Sequence, residues 1–415
     1  MPRVNPYELA KAAFWALPGP LRERLHGVRH QLVRLWRTRL ASLSPATSAD
    51  MAWADFCAEV LDCRDPSVIV LVFEPTIDWG VTLFQRPQHM AMALGRKGCI
   101  VLYRTTGDGV GGVRAIAPNV WLVGTPEITA LEGAVWCVYS TASLSSPAQM
   151  AGHRQHGRVV YEYIDHIDAA ISGSQAEVQR LLALKTAACS GQADYLVASA
   201  RVLYEELSAL APDKAVAYIA NGVDVGHFRD GRDRAAALPE RFVGFRGRYR
   251  TLVGYFGAVA PWLWFDMMSQ LAGQMPEFGF VYIGPDYGGC AGKLPRSPNV
   301  LYMGAVDYNV LPAYADQFDV CFIPFSPGTI ARSTSPLKLY EYFALEKPVV
   351  VTAEMQECTA FAEVFSGADL PTLISAIRAA AHAGETPSYR EAVLKLANLN
   401  TWDLRAEAYL EVLRQ

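Results

Sequence analysis

The sequence predicts an α/β protein of two doubly wound, Rossmann-like domains, and three observations carry that prediction. Short apolar runs recur along the chain, as at 68–73, 135–139, 252–256, 278–283 and 349–352. A strand that is apolar at every position suits a parallel sheet covered on both faces. Helical stretches separate these runs, clearest at 175–189 and 201–210, and strands alternating with helices build doubly wound sheets. The chain has 415 residues, too many for one ordinary core, so the pattern divides between two domains.

Composition narrows the class. With 51% hydrophobic and 19% charged residues the chain can bury two cores. A net charge of −4 gives no nucleic-acid signature, and no such partner is expected. The cysteines are scattered without a C-x-x-C pair, which reads as reduced core thiols in a cytoplasmic protein. No apolar run is long enough to span a bilayer. Glu8 and Lys11 interrupt the first apolar patch, which does not suit a signal peptide.

Residues 1–65 form an N-terminal helical extension. After Pro18-Gly19-Pro20, Leu21, Leu25, Val28, Leu32, Leu35 and Trp36 share a helical stripe edged by Arg22, Arg24, Arg29, Arg34, Arg37 and Arg39. A basic amphipathic helix of this kind at 21–40 suits an anionic membrane surface. Packing on the body of the protein, with the arginines in water, is the other reading.

Residues 66–228 form the first domain. The strand at 68–73 runs into a loop that carries Glu74, Asp78, Trp79 and Gly80. Ligands in open α/β sheets bind beyond the carboxyl ends of strands, so this loop faces the expected cleft. A helix follows at 84–96, with Arg86 and His89 expected to serve mainly in its packing. Gly107-Asp108-Gly109-Val110-Gly111-Gly112 matches G-x-G-x-x-G, but Pro118 and another strand follow it instead of a helix, so a dinucleotide site is excluded. The strand at 159–164 ends at Asp165 and His166. A carboxylate at a cleft edge can act as general base, and desolvation can raise its pKa. Asp168 is a third candidate, and capping the next turn is the alternative role for all such strand-end acids. Residues 229–250 are charged and read as an interdomain linker.

Residues 251–400 form the second domain. Its first strand runs into Gly257-Ala258-Val259-Ala260, a loop of small residues whose amides can approach a phosphate. The segment 335–351 reads as a helix followed by a buried strand. Ser335 is expected to cap the helix, and Pro336 and Leu337 to begin it. Lys338 then falls at the third helical position, where a capping box would place an acid. A cation against the positive helix end costs roughly 0.3–1 kcal/mol, unless an anion docks there. Glu341 lies one turn on. The pair alone fits either a surface ion pair or a site for a diphosphate and its ribose. A final helix in 401–415 is expected to cross back to the first domain.

These segments resemble GT-B glycosyltransferases. Ser335 to Val350 stands as the donor-binding segment S-P-L-K-x-x-E-Y-x-A-x-x-K-P-V-V. Asn221-Gly222-Val223-Asp224 followed by Phe228 is similar to the segment closing the first GT-B domain. Trp79-Gly80 with Phe84-Gln85-Arg86-Pro87-Gln88-His89 resembles the first strand–helix junction of bacterial polysaccharide glycosyltransferases. The likeness runs from about residue 68 to the end. It implies two domains facing a cleft and a nucleoside-diphosphate sugar donor, UDP first. It implies a glycan or lipid-linked acceptor in bacterial surface or exopolysaccharide synthesis, and a place on the inner face of the cytoplasmic membrane.

Gly257, Ala258, Ser335, Pro336, Leu337 and Lys338 would hold the diphosphate and Glu341 the ribose. Tyr308 would lie near the base, with ordinary packing as its other reading, and Asp165 or His166 would act as base or sugar contact. No metal or other cofactor is expected, and the chain lacks a D-x-D triplet. Two departures stand out. Pro261 to Trp264 replace the basic residues that many retaining relatives carry, and Ser333 replaces their glutamate eight residues before Glu341. The spacing of Lys338 and Glu341 also suits inverting relatives such as the xanthan glucuronosyltransferase type. A nucleotide-sugar epimerase and a non-catalytic nucleotide-sugar-binding subunit are the rival readings on the same fold.

Overall fold

The computed structural model describes residues 50–81, 83–232 and 238–415. The amphipathic segment 21–40 lies outside the described residues. The first sheet contains β1 (Val70–Phe73), β2 (Ile100–Arg104), β3 (Val113–Ala117), β4 (Val120–Val123), β5 (Val135–Tyr139), β6 (Arg158–Tyr163), β7 (Tyr195–Ala198) and β8 (Val216–Tyr218). Its order is β3-β4-β2-β1-β5-β6-β7-β8, parallel throughout except where β3 meets β4. The second sheet is wholly parallel. It contains β9 (Thr251–Phe256), β10 (Phe278–Ile283), β11 (Val300–Gly304), β12 (Val320–Ile323), β13 (Val349–Thr352) and β14 (Phe365–Gly367), in the order β11-β10-β9-β12-β13-β14.

Both orders reverse direction beside their first strand, between β1 and β5 and between β9 and β12. Such switch points open a crevice at the carboxyl ends of the strands. Glu74 follows β1 at one crevice, and Gly257 follows β9 at the other.

The apolar runs are buried as their composition requires. β1, β5, β10, β12 and β13 are buried at every residue. The last helix, Trp402–Leu413, places Trp402, Ala406, Tyr409, Leu410 and Leu413 in the core of the first domain, with Leu71, Phe73 and Val101. Fully burying apolar side chains of this size contributes about 1.5–3 kcal/mol each.

Two boundaries differ from the sequence reading. The described residues of 229–250 do not form an extended linker. They include the end of the helix Val225–Asp230 and the helix Glu240–Arg246, and Phe242 and Phe245 are buried in the second domain's core. Two buried aromatic rings outweigh the charged surface composition of that stretch. The extension reaches only to about residue 50, because Phe56 and Leu61 are buried in the first domain's core and Phe56 packs edge-on to Trp121 at 5.3 Å. Strands β3 and β14 carry no signal of the kind that marks the other strands. The first is a mixed-polarity edge strand and the second has only three residues, so neither shows the continuous apolar signal.

A buried polar cluster joins the domains. Arg86 Nε donates to Glu162 Oε2 at 2.9 Å, both side chains being essentially out of solvent. Arg86 Nη1 also reaches Ala220 O at 3.2 Å and Asn221 Oδ1 at 3.1 Å. Asn221 in turn donates from its amide nitrogen to Ser335 Oγ at 3.2 Å and from Nδ2 to Ser335 O at 2.5 Å. Arg86 is therefore a structural anchor. Arg86→Ala strands the Glu162 carboxylate and should cost about 3–5 kcal/mol. Urea unfolding measures this; a loss below about 1 kcal/mol would contradict the anchoring role.

Candidate active site

The helix Leu337–Ala344 enters the space between the sheets. Pro336, not Ser335, is its N-cap, and no side chain caps it. Ser335 instead faces Asn221, as described above, so Lys338 is the second helical residue rather than the third. Leu339 N turns back to Pro336 O at 3.2 Å. The amides of Leu337 and Lys338, as the first two in the helix, have no intrahelical carbonyl to reach. The helix has no solvent face: Leu339 to Leu345 are all buried. Leu337 packs against the first domain's core, while Tyr340 and Phe343 belong to the second domain's core.

Lys338 lies along the glycine floor of the second domain. A Cβ at Gly257 would meet its Cε at 2.9 Å, and Gly257 has φ +137°. A Cβ at Gly284, with φ +146°, would strike Gly257 O at 1.9 Å. Only glycine fits either place. The ammonium sits 5.5 Å from the Tyr255 ring centre and 5.4 Å from that of Phe325, with cation–π support.

Burial pulls the Lys338 pKa down, opposed by Glu341, Cys358 and Asp165. Burial pushes the Glu341 carboxyl up to about 8, with Lys338 opposing. It pushes the half-buried Asp165 up to about 6, again against Lys338. The structure thus brings Lys338, Glu341 and Asp165 together from two domains. Neither carboxylate accepts a hydrogen bond from the described residues. Half-buried His166 follows Asp165 in the same loop.

Other candidates have different places. The Gly257 and Val259 amides donate to Ile283 O and Pro285 O, both at 2.9 Å. Ala258 O accepts from Tyr255 Oη at 3.0 Å. This loop therefore gives close approach at Gly257 rather than a cradle of amides. Tyr308 makes the packing contacts that were its other reading. Its ring stacks on His227 at 4.2 Å and on Phe84 of the first domain at 5.6 Å, so it serves packing between domains.

Asp168 caps the helix Ala169–Ser172 through Ala170 N at 2.8 Å. Ser333 Oγ donates back to Thr329 O at 2.7 Å. Asp78 accepts from Gly107 N at 3.1 Å, while Asp108 accepts from Trp79 N at 2.7 Å and Gly80 N at 2.8 Å. Those three residues of the first loop thus brace the glycine-rich loop. Glu74 lies apart from them, against Arg104 and His153.

Sequence reasoning missed the roles of Asn221 and Glu357. Glu357 of the second domain accepts from Arg201 N at 2.6 Å and Tyr218 Oη at 2.5 Å, both in the first. Asn221 offered an N-G turn signal, whereas Glu357 offered none, because its partners are remote in sequence.

No family model matches the chain. Over 205 residues, 47% of the chain, it is 30% identical to TuaH of Bacillus subtilis (strain 168), named as a teichuronic acid biosynthesis glycosyltransferase. The matched segment spans half the length of that relative. Among solved structures, the UDP-forming trehalose-phosphate synthase of Burkholderia xenovorans, crystallised with glucose-6-phosphate, superposes with TM-score 0.62 at 12% identity. That match covers 84% of this chain and 100% of the other. HepE of Anabaena, crystallised with UDP, gives TM-score 0.56 at 12% identity, over 84% of this chain and 99% of the other. The fold is GT-B: two Rossmann-like domains facing a cleft.

The pKa directions fix a stability profile. Glu341 ionises near 4.5 when unfolded and near 8 when folded, so between those values the folded state holds the extra proton. Its contribution to stability is full below about 4.5 and is lost as pH rises through about 8. Glu341→Gln should flatten that fall and be more stable at pH 8 by about 1–3 kcal/mol. Urea midpoints from pH 5 to 8 test this; parallel profiles for the two proteins would refute it.

Proposed function

We propose that this chain is a glycosyltransferase, moving a sugar from a UDP-sugar to a glycan or lipid-linked acceptor in bacterial surface or exopolysaccharide synthesis. The observation that carries the reading is the meeting of Lys338, the unpartnered amides of Leu337 and Lys338, and Glu341 with Asp165 across the cleft. The likeness to a Bacillus protein named as a glycosyltransferase, and to a UDP-forming synthase and a UDP-bound protein of the same fold, supports it.

The chemistry follows from the charges. Negative charge develops on the leaving diphosphate, and fixed donors aimed there lower the barrier. The Leu337 and Lys338 amides and the Lys338 ammonium supply them without a metal ion. An arriving diphosphate would also reverse the burial cost that now depresses Lys338. Glu341, with no protein donor, would accept the ribose hydroxyls. Asp165, ionised above about 6, would take the proton of the acceptor hydroxyl as it attacks. Closure of the two domains excludes water that would otherwise hydrolyse the donor.

The first test is calorimetric titration with UDP and uridine, with and without EDTA. UDP should bind equally with EDTA present, and Lys338→Ala should weaken UDP by about 1–3 kcal/mol while leaving uridine nearly unchanged. Equal loss for both ligands would remove the phosphate role. Asp165→Asn should keep UDP affinity and lose transfer by about 100-fold or more; full turnover would exclude it as base.

The basic stripe at 21–40 would bring the enzyme to an anionic lipid surface on the cytoplasmic side. No helix among the described residues is long and apolar enough to cross a membrane. The full chain should sediment with phosphatidylglycerol vesicles at low salt and be released at high salt. Equal recovery with neutral phosphatidylcholine vesicles would refute the electrostatic attachment.

A further inference from the structure

The first domain holds a cavity of about 350 Å³, lined among others by Glu74, Arg104, Thr106, Ser143, Gln149 and His156. It opens beyond the carboxyl ends of β1, β2 and β5, and the helix Pro147–His156 forms one wall. Its size falls at the lower end of the range for small-molecule sites.

Glu74 sets its chemistry. The residue is only 3% exposed. Its Oε1 meets Arg104 Nη1 at 2.5 Å and His153 Nε2 at 2.8 Å. Its Oε2 accepts no hydrogen bond from the described residues. Burial pushes this carboxyl up, but His153 and Arg104 outweigh burial and hold it below its usual value. It is therefore an ionised acceptor with one edge open to the cavity, where water or a ligand can donate to it. His153 is fixed by stacking flat on Trp136 at 3.9 Å. Arg104 donates to Glu74 from Nη1 alone and is 21% exposed, so its other N–H groups remain available to a ligand.

The fixed charges of Glu74 and Arg104 cancel. The remainder of the wall offers hydroxyl, amide and imidazole groups. An anionic ligand would meet the Glu74 carboxylate, and an apolar one would leave it unmatched. A neutral polyhydroxylated ring satisfies both, giving hydroxyl protons to Glu74 and accepting from Arg104. We infer that this cavity is a subsite for one uncharged sugar unit of the acceptor, a reading that rests on the transferase function proposed above. β1, which leads to Glu74, lies two strands from β6, which leads to Asp165. That is roughly 10 Å at the usual strand spacing. The cavity and Asp165 thus lie at the same end of one sheet, so a unit held in the cavity would select the acceptor without entering the chemistry.

Gly152 provides the test. It lines the cavity, and a Cβ placed there meets no atom within 4 Å. Gly152→Leu should fill the space on a helical wall, where leucine is favoured over glycine. Saturation-transfer NMR on the full chain would use four probes: methyl α-glucopyranoside, methyl α-galactopyranoside, N-acetylglucosamine and N-acetylgalactosamine. At least one should bind, Gly152→Leu should weaken it about tenfold or more, and Gly152→Ala should retain it. Binding of none, equal binding in Gly152→Leu, or displacement by inorganic phosphate would overturn the subsite. UDP titration of the same samples reads the donor cleft separately. Sugar binding without UDP binding would defeat the transferase reading alone, and UDP binding without sugar binding would defeat the subsite alone.

Discussion

The structure depends on how completely Asn221 is used. Its amide nitrogen and Nδ2 donate to Ser335, its Oδ1 accepts from Arg86, and its carbonyl accepts from Arg405 Nε at 3.0 Å. One residue thus ties the helix Arg86–Arg96 of the first domain, the last helix of the chain and the segment leading into the helix Leu337–Ala344. Arg86 extends the tie to Glu162 in β6, the strand that delivers Asp165. Buried ion pairs are weak evidence for net stability. Their effect here is geometric: in a low-dielectric interior each unmatched group is costly, so one relative placement of the elements is strongly preferred.

That placement creates the electrostatic tension of the site. An ammonium and two carboxyl groups are held where burial disfavours the charged form of each, and the carboxyls have no hydrogen-bonding partner from the protein. A folded state designed only for stability would not keep them so. Sites that bind charge develop this way, because the ligand supplies the missing partners. Ser333, at the position where many retaining GT-B enzymes carry a glutamate, is folded back onto its own helix.

The strand–helix alternation, the two domains and the donor helix were legible from local pattern. Lys338 and Glu341 stood out as candidates because a cation at a helix start is locally unfavourable. Asp165 stood out from its place at a strand end, and the roles of all three rest on the proposed function. The place of Ser335 was not legible, because a tertiary partner took its hydroxyl. Residues 229–250 looked like a linker because their charges dominate the composition, while Phe242 and Phe245 decide their burial. Tyr308 looked available for stacking because the sequence does not show Phe84 and His227 against it.

The sequence by itself determined which segments become buried strands and where a helix would begin with a cation. These follow from hydrophobic periodicity and from backbone groups that every helix start leaves unpaired. Only the tertiary structure decided that Asp165 comes within electrostatic reach of Lys338, that Glu74 borders a separate cavity, and that Glu357 caps a helix of the other domain. Those contacts join residues far apart in the chain, and they exist because two sheets present their carboxyl ends to one cleft.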